Sequence, residues 1–525
     1  MVVLGSKVLS LEEVHRVLFE GEELVLDEAA VKNVNDNFEF LKNFSSKKLI
    51  YGINTGFGPM AQYRIPEEDT FQLQYNLIRS HSSGAGKCLA PVLTKSLMIA
   101  RLSSFMQGFS GVHTDLVYLL RDMINHNIYP CIYEHGGVGA SGDLVQLAHL
   151  AHALIGEGNV LYEDEIHPAA VIFAQLDLKP LDVHIREGLA VINGTSAMTG
   201  IALVNIIEAR KLLLWSCSLS AMINEVVEAF DDHLSHELNV VKRHNGQNKV
   251  AEMMRGMLQG SKMIRHRPDH LYKELEEEIF KDKVQEYYSL RCVPQILGPI
   301  YDTLVHAENI VVGELNSVSD NPVVDHRAKN VFHGGNFHGD YISLEMDKVK
   351  IAMTKLSMLS ERQLNYLLND KLNHKFPPFM NLGKLGFNFG MQGVQFTATS
   401  TVAENQTLSF PMYIHSIPNN NDNQDIVSMG CNAAQMTYKV IENTFEVLTV
   451  QVMTLLQAVD YLNCQERLAG FSHKIYQDIR AIFPKFIEDA PRYADVQKIK
   501  AYLMRHEPSL TEPAVEKKPK SSPVQ

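Results

Sequence analysis

Three long apolar stretches limit what this chain can become. Residues 202–230 (ALVNIIEARKLLLWSCSLSAMINEVVEAF), 346–368 (MDKVKIAMTKLSMLSERQLNYLL) and 438–462 (YKVIENTFEVLTVQVMTLLQAVDYL) repeat apolar side chains at steps of three and four. Each runs past ~20 residues, against a mean helix of ~11–12. The first is apolar around most of its circumference, which suits a helix buried on nearly all sides. Helices of this kind must cover one another. The spacing predicts a mainly α fold, a long-helix bundle, with further burial between subunits. Strand-like alternation is sparse, with candidates only at 160–169 and 321–334.

The rest of the composition narrows the class. The chain has 525 residues, 45% of them hydrophobic, and a formal net charge of −13. An acidic surface gains nothing from counterion release, so no nucleic-acid partner is expected. Six cysteines lie scattered without a CxxC pair, as in a reducing cytosol. The N-terminus MVVLGSKVLSLEEVHRVLFEGEE has no signal-peptide pattern. The nearest approach to a membrane span, AVINGTSAMTGIALVNII, carries Asn193, Thr195, Ser196, Thr199 and Asn205. It reads as a turn entering a buried helix. A cytoplasmic protein without a membrane partner is expected. Along the chain, residues 1–200 form an N-terminal domain with the functional loops, and 201–480 the central bundle. Residues 481–506 form a C-terminal helical segment, and the proline-rich 507–525 a disordered tail.

Glycine- and asparagine-rich loops interrupt the helices at 51–60, 134–143, 191–195, 332–340, 381–390 and 415–425. Function tends to sit on such loops. One of them opens GGVGASGDLVQLAH (136–149). A glycine-rich turn before a helix suggests a phosphate cradle, but no lysine follows and GxGxxG is missing. Strand–helix alternation is missing as well.

Ala140-Ser141-Gly142 offers different chemistry. If the chain bends sharply, the Gly142 nitrogen can attack the Ala140 carbonyl carbon. Loss of water closes a five-membered ring, and loss of a second water from Ser141 leaves an exocyclic methylene. The product is an electrophile that no ordinary side chain supplies. Glycine permits the necessary dihedrals, and glycines 136, 137 and 139 favour the bend.

GGVGASGDLVQLAH resembles the signature of the aromatic amino acid ammonia-lyases and related aminomutases. These build a methylidene-imidazolone (MIO) group from an internal Ala-Ser-Gly. The resemblance runs from about residue 8 to about 480, with several stretches matching in order. It implies the histidine/phenylalanine ammonia-lyase fold, an aromatic amino acid as substrate, and MIO formed from Ala140, Ser141 and Gly142. It also implies a homotetramer whose active sites draw on more than one subunit, leaving open which chain supplies which residue.

Roles carry over from the resemblance stretch by stretch. YGINTGFG makes Tyr51 the catalytic base, with Phe57 and Gly58 near the substrate. VINGT makes Asn193 the partner of the MIO ring. YYSLRCVPQ supplies Tyr288 for proton transfer and Arg291 for the substrate carboxylate. SDNP adds Asn321 at the carboxylate, GGNFHG places Phe337 near the ring, and NDNQD supplies Asn423 and Gln424. The residue types suit these tasks. A phenol serves as base only when its pKa falls from about 10, and arginine offers a planar fork for a carboxylate.

Two markers bear on the substrate. Ser80-His81 in LIRSHSSGAG is common among histidine lyases. Gln424 in DNQDIVSMG stands where those enzymes carry a glutamate, and is the pattern of phenylalanine and tyrosine lyases. FGPMAQYRI, LQYNLIRSHSSG and IPNNNDNQDIVSMG together resemble bacterial tyrosine ammonia-lyases, with His81 bonding the phenol. The expected substrate is L-tyrosine, giving trans-4-coumarate and ammonia, with phenylalanine weaker. Histidine ammonia-lyase and an aromatic amino acid 2,3-aminomutase are the alternatives. His149/His152 and His233/His236 sit three apart and could share helix faces, but neither pair has HExxH. They read as satisfied or solvated histidines, and no metal is expected. Asp143 is expected to cap the helix that follows it.

Overall fold

The three apolar stretches become the longest helices. Ser196–Val226, Asp340–Leu368 and Gly430–Leu462 span 31, 29 and 33 residues. Each begins ahead of its apolar repeat. The openings SAMTG and GCNAAQ consist of small residues with little periodic contrast, so pattern alone understates them. The first helix stops at Val226 and not at 230, and Glu228 just beyond it is left-handed at φ 58°. A fourth long helix, Val293–Leu315, was not evident from pattern. The helix carries Pro299 inside it. Gly298 has a packing reason: a Cβ there would lie 2.6 Å from the Gln247 backbone nitrogen.

The computed structural model describes residues 1–46, 48–272, 278–280 and 283–508. The predicted tail lies outside the described residues from 509 onward. Within 481–506 the chain forms the helix Tyr493–Arg505. Contacts group the chain into two compact units, each discontinuous in sequence. The first comprises Met1–Arg210, Thr303–Ala352 and Gln406–Ile441; the second holds the remainder.

In the first unit the opening turns of the three long helices bond through buried polar side chains. Asn205 Nδ2 donates to Ala434 O at 2.8 Å, and Thr437 Oγ1 to Met346 O at 2.8 Å. In the second unit Gln363 plays the same part. It donates to Ser220 Oγ at 2.9 Å and accepts from Gln451 Nε2 at 2.7 Å. Buried amides need such partners, and they fix the register of otherwise featureless apolar faces.

Both strand candidates are short antiparallel hairpins. Asn159–Tyr162 pairs with Glu165–Pro168 across left-handed Glu163 and Asp164, and Val323–Asp325 pairs with Asn330–Phe332. Among the described residues no sheet exceeds three strands, so no doubly wound scaffold for a nucleotide exists there. One helix, Gly430–Leu462, is long and apolar enough to cross a membrane, but 78% of its apolar window is buried in the protein.

Candidate active site

The Ala140-Ser141-Gly142 turn is bent at left-handed glycines on either side of Ala140 and Ser141. Gly139 and Gly142 both sit at φ 72°, a region that penalises any side chain. A Cβ on Gly142 would lie 2.0 Å from the Gly194 carbonyl oxygen, so the two backbones can approach only because residue 142 is glycine, while a Cβ on Gly194 would meet Arg101 and Ser319. The Asp143 N–H donates to that same oxygen at 2.8 Å. Ala140 and Gly142 are buried, and Ser141 is half-buried.

Two amides bond to Ser141, and a third supports one of them. Asn193 Nδ2 donates to the Ser141 carbonyl at 2.9 Å. Ring closure through Ala140 C and Gly142 N would keep that oxygen as the ring carbonyl, where the Asn193 bond would draw electron density out of the ring. Asn193 Oδ1 in turn accepts the Asn321 N–H at 2.7 Å, and Asn321 Oδ1 accepts the Gly334 N–H at 2.8 Å. Gln424 Nε2 donates to the Ser141 hydroxyl at 2.9 Å. That hydroxyl is the precursor oxygen, which formation of the methylene would remove.

The loop carrying Tyr51 rests on the same support. A Cβ at Gly52 would meet Leu189 Cδ2 at 2.3 Å, and Gln74 Nε2 donates to Gly52 O at 3.2 Å. Leu189 belongs to the short helix Glu187–Ile192, whose last cap is Asn193. Ile50 and Ile53 anchor the loop in a buried cluster with Leu41, Val324 and Val331. The Gly58 N–H donates to the Tyr51 phenol oxygen at 3.2 Å, and the Phe57 ring stands edge-on to Tyr51 at 6.2 Å.

Gly58 also meets the asparagine-rich loop, since a Cβ there would lie 2.9 Å from Asn420 Nδ2. In that loop Asn420, Asn421 and Asp422 are all left-handed, at φ 55°, 52° and 58°. Three consecutive left-handed residues need side chains that tolerate the conformation, which explains the run NNND. The bend turns Gln424 inward, 8% exposed, while Asn423 remains exposed.

His81 ends the helix Thr70–His81, and its Nδ1 lies 2.9 Å from Leu77 O and 3.0 Å from Ser80 Oγ. A carbonyl only accepts, so Nδ1 carries the proton in this contact. Ser80 itself is exposed and bonded back to Leu77 O. Phe337 is half-buried, two residues before Gly339, whose N–H reaches Gly139 O at 3.1 Å. Tyr288 and Arg291 belong to the second unit, on the short helix Tyr288–Arg291. Tyr288 is 70% exposed, and the Arg291 guanidinium lies 4.8 Å from its ring centre and bonds to Gln285.

Asp143 corrects an expectation. Its side chain makes no cap to the helix Leu144–Leu154. Oδ2 instead accepts the Met198 N–H at 2.8 Å, capping the long Ser196–Val226 helix, and Oδ1 lies 3.2 Å from Cys431 Sγ. Burial pushes the carboxyl up to about 6. In an unfolded chain it titrates near ~4. The stability gained by holding that proton is full below ~4 and is lost as pH rises through about 6. Melting of wild type and Asp143→Asn across pH 4–8 tests this. The wild-type advantage is expected to shrink by about 3 kcal/mol between pH 4 and 7, and a pH-independent difference would refute it.

Histidine pairs singled out by spacing find other partners. His149 Nε2 accepts the Gly84 N–H at 3.0 Å. His233 and His236 do not share a helix, because Ser235 at ψ 152° separates their elements. Sequence reasoning missed Arg101, Thr195, Glu314 and Asp320. Arg101 is fully buried and donates to Asn193 O at 2.9 Å and to Ala190 O. Burial pulls its guanidinium down to about 10, still charged at neutral pH. Thr195 donates to Glu314, whose carboxyl burial raises. Asp320 pairs with Arg186 at 3.0 Å, both fully buried, beside Asn321. A charged residue inside the apolar run LMIARLSSFM was the one available signal.

The described residues thus join a helical fold to an Ala-Ser-Gly turn bonded by the Asn193 and Gln424 amides. Comparison with known proteins defines it further. The profile of the aromatic amino acid lyases matches residues 9–481, and the chain belongs to that family of carbon–nitrogen lyases. It is similar to tyrosine 2,3-aminomutase of Myxococcus fulvus, 36% identical over 490 residues, covering 92% of this chain and 93% of the relative. Histidine ammonia-lyase of Shouchella clausii is 34% identical over 504 residues, covering 96% and 98%. The solved structure of tyrosine aminomutase from Streptomyces globisporus superposes with a TM-score of 0.92 at 33% identity, covering 96% and 97%.

Proposed function

We propose that this enzyme is an MIO-dependent ammonia-lyase that converts L-tyrosine to trans-4-coumarate and ammonia. The observation that carries the reading is Gln424, a buried neutral amide 2.9 Å from the Ser141 hydroxyl. Once formed, the MIO group would supply an electrophile for the substrate amine. The left-handed Gly142 and its close approach to Gly194 fit formation of that group.

The chain's own residues then have separate tasks. Asn193 polarises the Ser141 carbonyl. Tyr51 removes the β-proton, held in place by the Gly58 N–H. Asn321 and Arg291 bind the carboxylate, and Tyr288 assists proton transfer. His81 hydrogen-bonds the substrate phenol. A carboxylate at position 424 would favour a basic imidazole; an amide removes that preference. Phe337, Gly58, Ser80 and Asn423 complete the walls.

The reading includes a homotetramer in which Tyr288 and Arg291 come from a neighbouring subunit. Exposed Phe410, Ile414 and Ile417 before Gln424 and Ile426 after it support an interface there. A tyrosine 2,3-aminomutase is the second reading, favoured by the name of the Myxococcus relative.

The purified species, expected at the mass of four chains by light scattering, would be given L-tyrosine, L-phenylalanine and L-histidine separately. Coumarate from tyrosine supports the lyase, β-tyrosine the aminomutase, and urocanate alone overturns both. Gln424→Glu is expected to lower kcat/KM for tyrosine by roughly 10- to 100-fold, about 1–3 kcal/mol for a mismatched buried polar group. Unchanged tyrosine kinetics in that variant would remove Gln424 from the specificity argument.

A further inference from the structure

His113, Asp115 and His184 have no part in the site above. Each offers one ligand atom, and these atoms lie within 4.8 Å of one another. We propose that the three residues bind a divalent transition-metal ion, zinc being the best match.

The donor set is the first argument. Two imidazole nitrogens and one carboxylate oxygen suit zinc, nickel or cobalt, whereas calcium and magnesium prefer oxygen alone. Ligands ~2.0–2.2 Å from a tetrahedral ion stand ~3.3–3.6 Å apart. His113 Nδ1 and Asp115 Oδ2 are already 3.2 Å apart. The His113 and His184 ring centres are 4.5 Å apart.

Preorganisation is the second argument. Glu187 is fully buried, and its carboxylate accepts the His113 backbone N–H at 2.6 Å and the His184 backbone N–H at 2.7 Å. One side chain therefore ties together two backbone segments that sequence keeps 71 residues apart. Phe38 packs edge-on against both imidazoles, at 5.1 and 5.6 Å. Side chains held this way lose little freedom on ligation. Both rings remain half-buried, and the Asp115 carboxylate is 71% exposed, which leaves an entry path and a position for water.

Occupancy would brace the catalytic turn from behind. His113 Nδ1 accepts the Asp115 backbone N–H at 3.3 Å at the start of the helix Thr114–Asn125, a bond that ligation through Nδ1 would replace, and His184 directly precedes the segment entering Glu187–Ile192 and Asn193. An ion shared by the two histidines would clamp that segment to the helix. A second cluster, Glu12, His15 and Glu20, has a single nitrogen donor between exposed carboxylates and carries no such argument.

The test uses the full chain stripped with chelator, then dialysed against zinc chloride, with bound zinc and melting temperature measured. One zinc per chain and a raised melting temperature are expected. Asp115→Asn changes an exposed side chain and should leave folding intact, while weakening zinc binding by at least about tenfold. His184→Gln should abolish it. No bound zinc in the wild type, or unchanged stoichiometry and affinity in Asp115→Asn and His184→Gln, would overturn the proposal.

Discussion

Ser141→Ala is expected to give a folded chain without measurable turnover. The methylene needs the Ser141 hydroxyl as its leaving oxygen, and alanine has none. Folding should survive, because the variant loses one hydrogen bond, from Gln424, at a cost of about 1 kcal/mol. The loss of activity should be at least roughly 1,000-fold, a fraction of the ~10⁶-fold or more that enzymes supply. Intact mass separates causes. Wild type should weigh two waters less than its sequence, and Ser141→Ala at most one less. Full activity in Ser141→Ala would show that the tripeptide takes no part in the chemistry. Gly142→Ala should fail earlier, with its Cβ 2.0 Å from Gly194 O, and should lose neither water.

Tyr51→Phe is expected to fail at a different stage. Tyr51 contacts Gly58 N and Phe57, while the bonds to Ser141 come from Asn193 and Gln424. The variant should therefore still lose both waters and show the ring's ultraviolet absorbance. Turnover should fall by roughly 10² to 10⁴, the usual contribution of a positioned base. A Tyr51→Phe enzyme with near-normal kcat would assign proton removal to another group. A variant lacking the mass change would make Tyr51 part of maturation instead.

Periodicity revealed the bundle because each long helix is apolar enough to repeat visibly. It missed Val293–Leu315, where Gly298 allows close packing against Gln247 and Pro299 lies inside the helix. The site was legible where residues cluster in short loops: Ser141, Asn193, Asn321 and Gln424 meet through direct hydrogen bonds. What remained hidden depends on distant pairings. Asp143 caps a helix 55 residues away, and Arg101 supports Asn193 from a separate helix. No local pattern encodes such partners. Left-handed Asn420 to Asp422 are the intermediate case, since their composition announced a turn but not which side chain it would aim inward.

The supports of the catalytic turn come from far along the chain: Gly194, Met198, Gly339, Ser428 and Met429 all bond to residues 138–143. A nascent chain has none of them in place. On the MIO reading proposed above, the tripeptide would act as its own inspector, recording irreversibly that the molecule around it was once correctly assembled. In a preparation of this enzyme, the fraction of chains two waters light would be a census of every molecule that ever folded, including those that have since unravelled.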